Sequence, residues 1–126
     1  RSQIVKTAHN TLFLDAYNAN PSSMKVALEN FAALSATHKT VILGDMFELG
    51  EDSAHEHQAI ADLAASLHFE TIFLVGKNFH GVSTSHLSFE DFESLKIHLS
   101  KHPFQNKTIL IKGSRGMRLE RLVELL

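Results

Sequence analysis

The chain has 126 residues, 44% hydrophobic and 21% charged, the make-up of one ordinary globular domain. Lys and Arg number 12 against 14 Asp and Glu, so the net charge of -2 argues against a nucleic-acid or anionic-membrane partner. No apolar run is long enough to span a bilayer, and the lack of cysteine excludes disulfide and thiolate chemistry, in keeping with a reducing compartment. The chain opens at Arg1 rather than Met with no signal-peptide pattern, which suggests a piece of a longer protein.

Residues 3–7 alternate loosely, as a strand does, and His9-Asn10 turns into Leu12-Phe-Leu-Asp15, the end of a buried strand at a carboxylate. Asn20 suits an N-cap, and Pro21 suits the first helical position, where its missing N–H would have no partner anyway. Met24, Ala27, Leu28, Phe31 and Leu34 follow at helical spacing and define a core face. Thr40-Val-Ile-Leu43 is short, apolar and β-branched, the pattern of a parallel strand buried on both faces. It runs into Gly44-Asp45-Met-Phe-Glu48-Leu-Gly50. Ser53 and Glu56 then have capping-box spacing, with Ile60, Ala61, Ala64 and Leu67 as the stripe of the next helix.

Thr71-Ile-Phe-Leu-Val75 predicts a third buried strand, ended by Gly76-Lys77-Asn78. Residues 79–87 are weakly patterned and read as a loop with a short strand near 85–87. Ser88 is the expected cap of a helix facing inward through Phe92, Leu95 and Leu99, stopped at His102-Pro103 because the residue before proline avoids helical geometry. Thr108-Ile-Leu-Ile111 predicts a fourth buried strand, and Leu119, Leu122, Val123 and Leu126 fit a final amphipathic helix. Strands alternating with helices predict one α/β domain over residues 1–126. It is Rossmann-like, with a mostly parallel sheet, helices on both faces and room for one antiparallel edge strand.

Four polar loops leave the carboxyl ends of these strands: 15–20, 44–50, 76–78 and 112–115. In a parallel sheet they gather along one edge, where open α/β sheets bind ligands. Lys112-Gly-Ser-Arg115 offers two cations, a hydroxyl and a helix start, which suits a carboxylate or phosphate, or makes only a solvated basic turn. Asp45 and Glu48 suit an ammonium group or order their own loop, and Asp15 and Asn20 either contact a ligand or only terminate and cap. His57, on the apolar side of its helix, reads as a packed or capping residue, and no metal site is expected. A P-loop requires G-x-x-x-x-G-K-S/T; before Gly76-Lys77 the leading glycine is replaced by Thr71, and Asn78 follows where a hydroxyl residue belongs. The chain has no phosphate cradle of its own.

Asp15-Ala-Tyr-Asn-Ala-Asn-Pro-Ser-Ser-Met24, Leu43-Gly-Asp-Met-Phe-Glu-Leu-Gly50 with His57, and Lys112-Gly-Ser-Arg-Gly-Met117 together resemble the C-terminal domain of the Mur ligase family, in the family's order and spacing. Within that family the resemblance is to members that join D-alanyl-D-alanine to UDP-N-acetylmuramoyl-tripeptide. It implies the third domain of a cytoplasmic, monomeric enzyme of bacterial peptidoglycan synthesis, whose missing domains hold the sugar peptide, ATP and Mg2+. The family phosphorylates the peptide carboxylate and lets the dipeptide amine attack the acyl phosphate, so this domain by itself is expected to be inactive.

Carried over residue by residue, the resemblance implies nucleotide contacts from Arg1, Asp15, Tyr17, Asn18, Asn20 and Pro21. It implies dipeptide contacts from Asp45, Glu48, Lys112, Ser114 and Arg115, with no catalytic residue in this domain alone. Two alternatives remain open on sequence: another Mur or folylpolyglutamate-type amide ligase, or a phospho-receiver-like signalling domain using Asp15, Asp45 and Lys112.

Overall fold

The computed structural model describes residues 2–126 and builds one sheet from six strands. These are β1 (Gln3–Lys6), β2 (Thr11–Asp15), β3 (Lys39–Gly44), β4 (Thr71–Val75), β5 (Leu87–Phe89) and β6 (Thr108–Lys112), in the spatial order β1-β2-β6-β3-β4-β5. The β1–β2 pair is antiparallel and every other pairing is parallel, so the expected antiparallel edge strand is β1. The helices are α1 (Pro21–Ala33), α2 (Ser53–Ser66), α3 (Lys77–His80) and α4 (Phe92–Lys101). No helix among the described residues is long and apolar enough to cross a membrane.

Side chains alternate across a strand, and the sheet sorts its apolar residues accordingly. Val41, Leu43, Ile72, Leu74 and Leu110 pack against Met24, Leu28 and Phe31 of α1 and Ile60, Ala61 and Ala64 of α2. Leu12, Leu14, Ile42, Phe73, Ile109 and Ile111 face Leu95 and Leu99 of α4 and the C-terminal Leu119, Leu122 and Leu126. Each fully buried Leu, Ile or Phe contributes about 1.5–3 kcal/mol. Both faces are therefore covered by a core, and the ligand-accessible region is pushed to the strand ends. Between β2 and β3 the chain crosses over through α1, while β6 enters from the α4 side and lies between them. That reversal opens a crevice at the carboxyl ends of β2, β6 and β3.

Several local expectations are corrected. Leu34 is not core: α1 ends at Ala33, and Leu34 turns into an extended C-cap that leaves it 37% exposed. No capping box forms at Ser53 and Glu56, because a 3-10 turn over Gly50–Asp52 runs straight into α2 and makes Asp52 its N-cap. The Ser53 hydroxyl instead donates to Asn78 Oδ1 at 3.1 Å. Residues 77–80 form one helical turn rather than loop, and Phe79 within it is fully buried. The short strand lies at Leu87–Phe89, and Asp91 rather than Ser88 caps α4 by accepting the Ser94 N–H at 2.9 Å. The final segment is 3-10 (Leu119–Leu125) rather than α-helix, and Arg118 just before it is left-handed.

Candidate functional site

All four polar loops do meet at one edge, and buried polar side chains join them. Asn20 accepts the Ser23 N–H at 2.9 Å while Ser23 Oγ accepts the Asn20 N–H at 3.0 Å, a reciprocal cap that aims the 16–20 loop. Asp15 and Lys112 are direct partners in the β2–β6 register. Lys112 Nζ donates to Asp15 Oδ2 at 2.9 Å and to the Asn18 carbonyl at 2.9 Å. Ser114 is a three-way junction. Its N–H donates to the Asp45 carbonyl at 2.9 Å, its Oγ accepts the Phe47 N–H at 2.8 Å and reaches the Ala19 carbonyl at 3.5 Å.

Asp45 is buried and faces inward: Oδ2 accepts from Asn78 N and Nδ2, and Oδ1 accepts from Phe79 N. Beside it His57, fully buried, donates from Nδ1 to the Ser53 carbonyl at 2.7 Å and accepts the Met46 N–H on Nε2 at 3.0 Å. With both ring nitrogens so engaged, His57 is the neutral tautomer, and its 3.9 Å approach to Asp45 Oδ1 is not an ion pair. His57 is the packed residue expected from its position.

Two hollows flank this edge. A cavity of about 750 Å³ on the α1 side has a polar mouth of Asp15, Asn18, Asn20, Ser22 and Lys112 and an apolar floor including Phe13, Ala27 and Leu110. A smaller one, about 460 Å³, lies on the other face between Gln3, Leu14, Tyr17, Arg115 and Glu120. There the Arg115 guanidinium sits over the Tyr17 ring, 5.2 Å from its centre. The division follows from strand alternation: Phe13 and Asp15 point to the α1 side, whereas Leu14 and Ala16 point away.

The candidates therefore fall into three groups. Asp15, Asn18 and Asn20 line the larger cavity together with Lys112, while Tyr17 stands apart with Arg115. Asp45 and Ser114 are buried in hydrogen bonds between loops, and the Lys112 ammonium is likewise engaged. Glu48, at φ 64°, and Arg115 are exposed. Pro21 occupies the first turn of α1, and Arg1 lies outside the described residues. The sequence reading of 112–115 as a helix-start anion site does not hold in that form: the Ser114 N–H is taken by Asp45, and the chain then enters only a three-residue 3-10 turn. Overlooked in the sequence were Ser22, Gln3 and Phe47, which lies 43% exposed between Ser114 and Gly116. Only Ser22 had a signal, its place beside the Asn20 cap.

An open α/β sheet with a crevice at the strand-order reversal is the architecture of the doubly wound class. Residues 1–115 match the family described as Mur ligase, glutamate ligase domain, and the chain belongs to that family. It is similar to UDP-N-acetylmuramoyl-tripeptide--D-alanyl-D-alanine ligases, being 37% identical to that of Treponema pallidum across 100% of this chain and 33% identical to that of Rickettsia prowazekii across 98%. In both cases the chain spans 29% of the relative's length. Among solved structures it resembles MurF from Acinetobacter baumannii, with TM-score 0.80 and 28% identity over 97% of this chain and 28% of that one. The fold also matches MurF ligase from Thermotoga maritima, solved in complex with ADP, at TM-score 0.79 and 21% identity, covering 97% of this chain and 29% of that one.

Proposed function

We propose that this chain is the C-terminal domain, residues 1–126, of an ATP-dependent amide ligase that joins D-alanyl-D-alanine to UDP-N-acetylmuramoyl-tripeptide in the bacterial cytoplasm. The observation that carries the reading is the end-to-end similarity to ligases of that name, coupled with a cavity whose mouth gathers Asp15, Asn18 and Asn20 from the turn after β2. Oxygen and amide groups there suit the hydroxyls of a ribose, and the apolar floor suits a base. The sequence carries no P-loop signature. Among the described residues no three His, Asp or Glu side chains gather as a metal site would need, and the family resemblance assigns the P-loop and Mg2+ to the rest of the ligase.

ATP supplies the activation of the peptide carboxylate. What this domain contributes is binding, orientation and exclusion of water. Docked over the nucleotide, its carboxyl edge holds the dipeptide with its amine toward the activated carbon, and closure keeps out water that would hydrolyse it. Arg115 is the exposed cation for the dipeptide carboxylate and Glu48 the exposed anion for its ammonium. Asp45 and Ser114 act one step removed, by fixing the loops that carry those two residues. The domain alone has no turnover, and the enzyme works as a monomer.

The test is ADP release by the intact ligase that carries this chain, with UDP-N-acetylmuramoyl-tripeptide, ATP and Mg2+ present throughout. Release that rises on adding D-alanyl-D-alanine supports the reading; release indifferent to that dipeptide, in a protein that binds ATP, refutes it.

A further inference from the structure

Lys112 lies 3% exposed at the last register position of β6, yet it lines the mouth of the larger cavity. A buried ammonium is tolerated only where acceptors replace its water. Both acceptors here come from the turn after β2: the Asp15 carboxylate and the Asn18 carbonyl, each at 2.9 Å. Neither comes from the loops carrying Glu48 or Arg115. The pairing is also set by the sheet rather than by a flexible loop, because Asp15 and Lys112 face each other across adjoining parallel strands.

Resting on the ligase reading above, we propose that Lys112 is a positioning residue for the nucleotide and makes no contact with the dipeptide. One ammonium has two physical effects. Holding the Asn18 carbonyl sets the path of the turn, and so brings the Asn18 and Asn20 side chains to the same cavity as Asp15. Neutralising Asp15 matters as much. Pairing with Lys112 offsets the Asp15 charge at that mouth, which lowers its repulsion of nucleotide phosphates and still leaves acceptor atoms there. The lysine of the Lys-Gly-Ser-Arg motif thus acts through Asp15, on the far side of the edge from Arg115.

A double-mutant cycle in the intact ligase separates this role from direct dipeptide binding. Wild type, Asp15→Asn, Lys112→Met and the double variant are compared by ADP dissociation constant and by KM for ATP and for D-alanyl-D-alanine. Lys112→Met is expected to weaken ADP binding and raise the ATP KM by roughly tenfold, leaving the dipeptide KM within about twofold. In the Asp15→Asn background the same change should cost only about threefold in either nucleotide constant, the share carried by the Asn18 carbonyl.

A dipeptide KM raised roughly tenfold in both backgrounds would overturn the proposal, as would nucleotide losses of equal size with and without the Asp15 carboxylate. If Lys112→Met alone fails to fold, the double variant, in which the buried pair is removed whole, decides the point against wild type by the dipeptide KM. Failure of the ligase reading has a different signature. It is a wild-type enzyme whose ADP release ignores the dipeptide, and the ADP-binding arm of the cycle still reports on Lys112.

Discussion

A Cβ added to Gly76 would lie 2.3 Å from the carboxylate carbon of Asp45: the glycine and the acid occupy complementary space. Gly76 also holds φ 124° and ψ 163°, a conformation that side chains resist. Its missing side chain lets the Asp45 carboxylate reach the Asn78 and Phe79 N–H groups that open α3. Gly76→Ala is therefore expected to cost about 3 kcal/mol or more. Asp45→Ala, which strands those buried donors, should cost about 2–3 kcal/mol. Urea denaturation midpoints measure both, and a loss below about 1 kcal/mol for Gly76→Ala would show that the contact relaxes freely.

Thr40 offers a gain. It is fully buried in β3, and its Oγ1 has no hydrogen-bond partner among the described residues. Valine has the same shape without the polar atom, so Thr40→Val should raise stability by about 1 kcal/mol. The check is the midpoint of thermal unfolding, which should move upward; a downward shift would mean that the hydroxyl is satisfied in solution.

Acid should weaken the fold in two stages. Burial, and then the nearby His102, push His98 below its ordinary value of 6.5. The unfolded chain therefore takes up a proton more readily there, and stability falls as pH drops from 6.5 toward the folded value. Glu70 is held below its ordinary 4.5 chiefly by its hydrogen bond to Lys107 and next by that to His38. Its stabilisation is present above 4.5 and is lost as pH falls through the lower folded value. The cluster is exposed, so that second stage is small and fades in salt. In melting curves at low ionic strength, His98→Phe should flatten the stage below pH 6.5 while keeping the ring packing on Phe73 and Phe89. Glu70→Gln should affect only the more acid one. A His98→Phe profile identical to wild type would refute the assignment.

Arg115 makes a prediction of the opposite kind. Its guanidinium is exposed and stacked on Tyr17, so Arg115→Ala should change stability by less than about 1 kcal/mol. If it receives the dipeptide carboxylate, the dipeptide KM of the intact ligase should rise by roughly tenfold or more while the ATP KM stays within about twofold. Steady-state kinetics with each substrate varied in turn separates these, and a rise confined to ATP would place Arg115 on the nucleotide.

What the amino-acid order determined by itself is the part of the molecule governed by local periodicity. The runs 12–14, 41–43, 72–75 and 109–111 are apolar throughout, as strands covered on both faces require. Asn20-Pro21 likewise placed the start of α1 to the residue, because an N-cap and a first-turn proline satisfy needs that arise within a few residues. The four polar loops could thus be located from residue order alone.

Their division of labour could not. Asp15, Asp45, Lys112 and Ser114 look alike in sequence, as polar residues at strand ends. Tertiary contacts across 97 residues pair Lys112 with Asp15, and contacts across 34 bring Asp45 to Phe79, so these groups serve the scaffold or one another. The one-turn helix at Lys77–His80 exists for the same reason, since the Asn78 and Phe79 N–H groups are satisfied by an acid from the loop after β3. Past Asp15 the chain leaves β2, and the turn puts Tyr17 and Asn18, neighbours in the chain, on opposite sides of the sheet edge, the reverse of what alternation along the strand would give. Periodicity reports which face a residue takes within its own element; which partner waits on that face depends on how the elements are stacked.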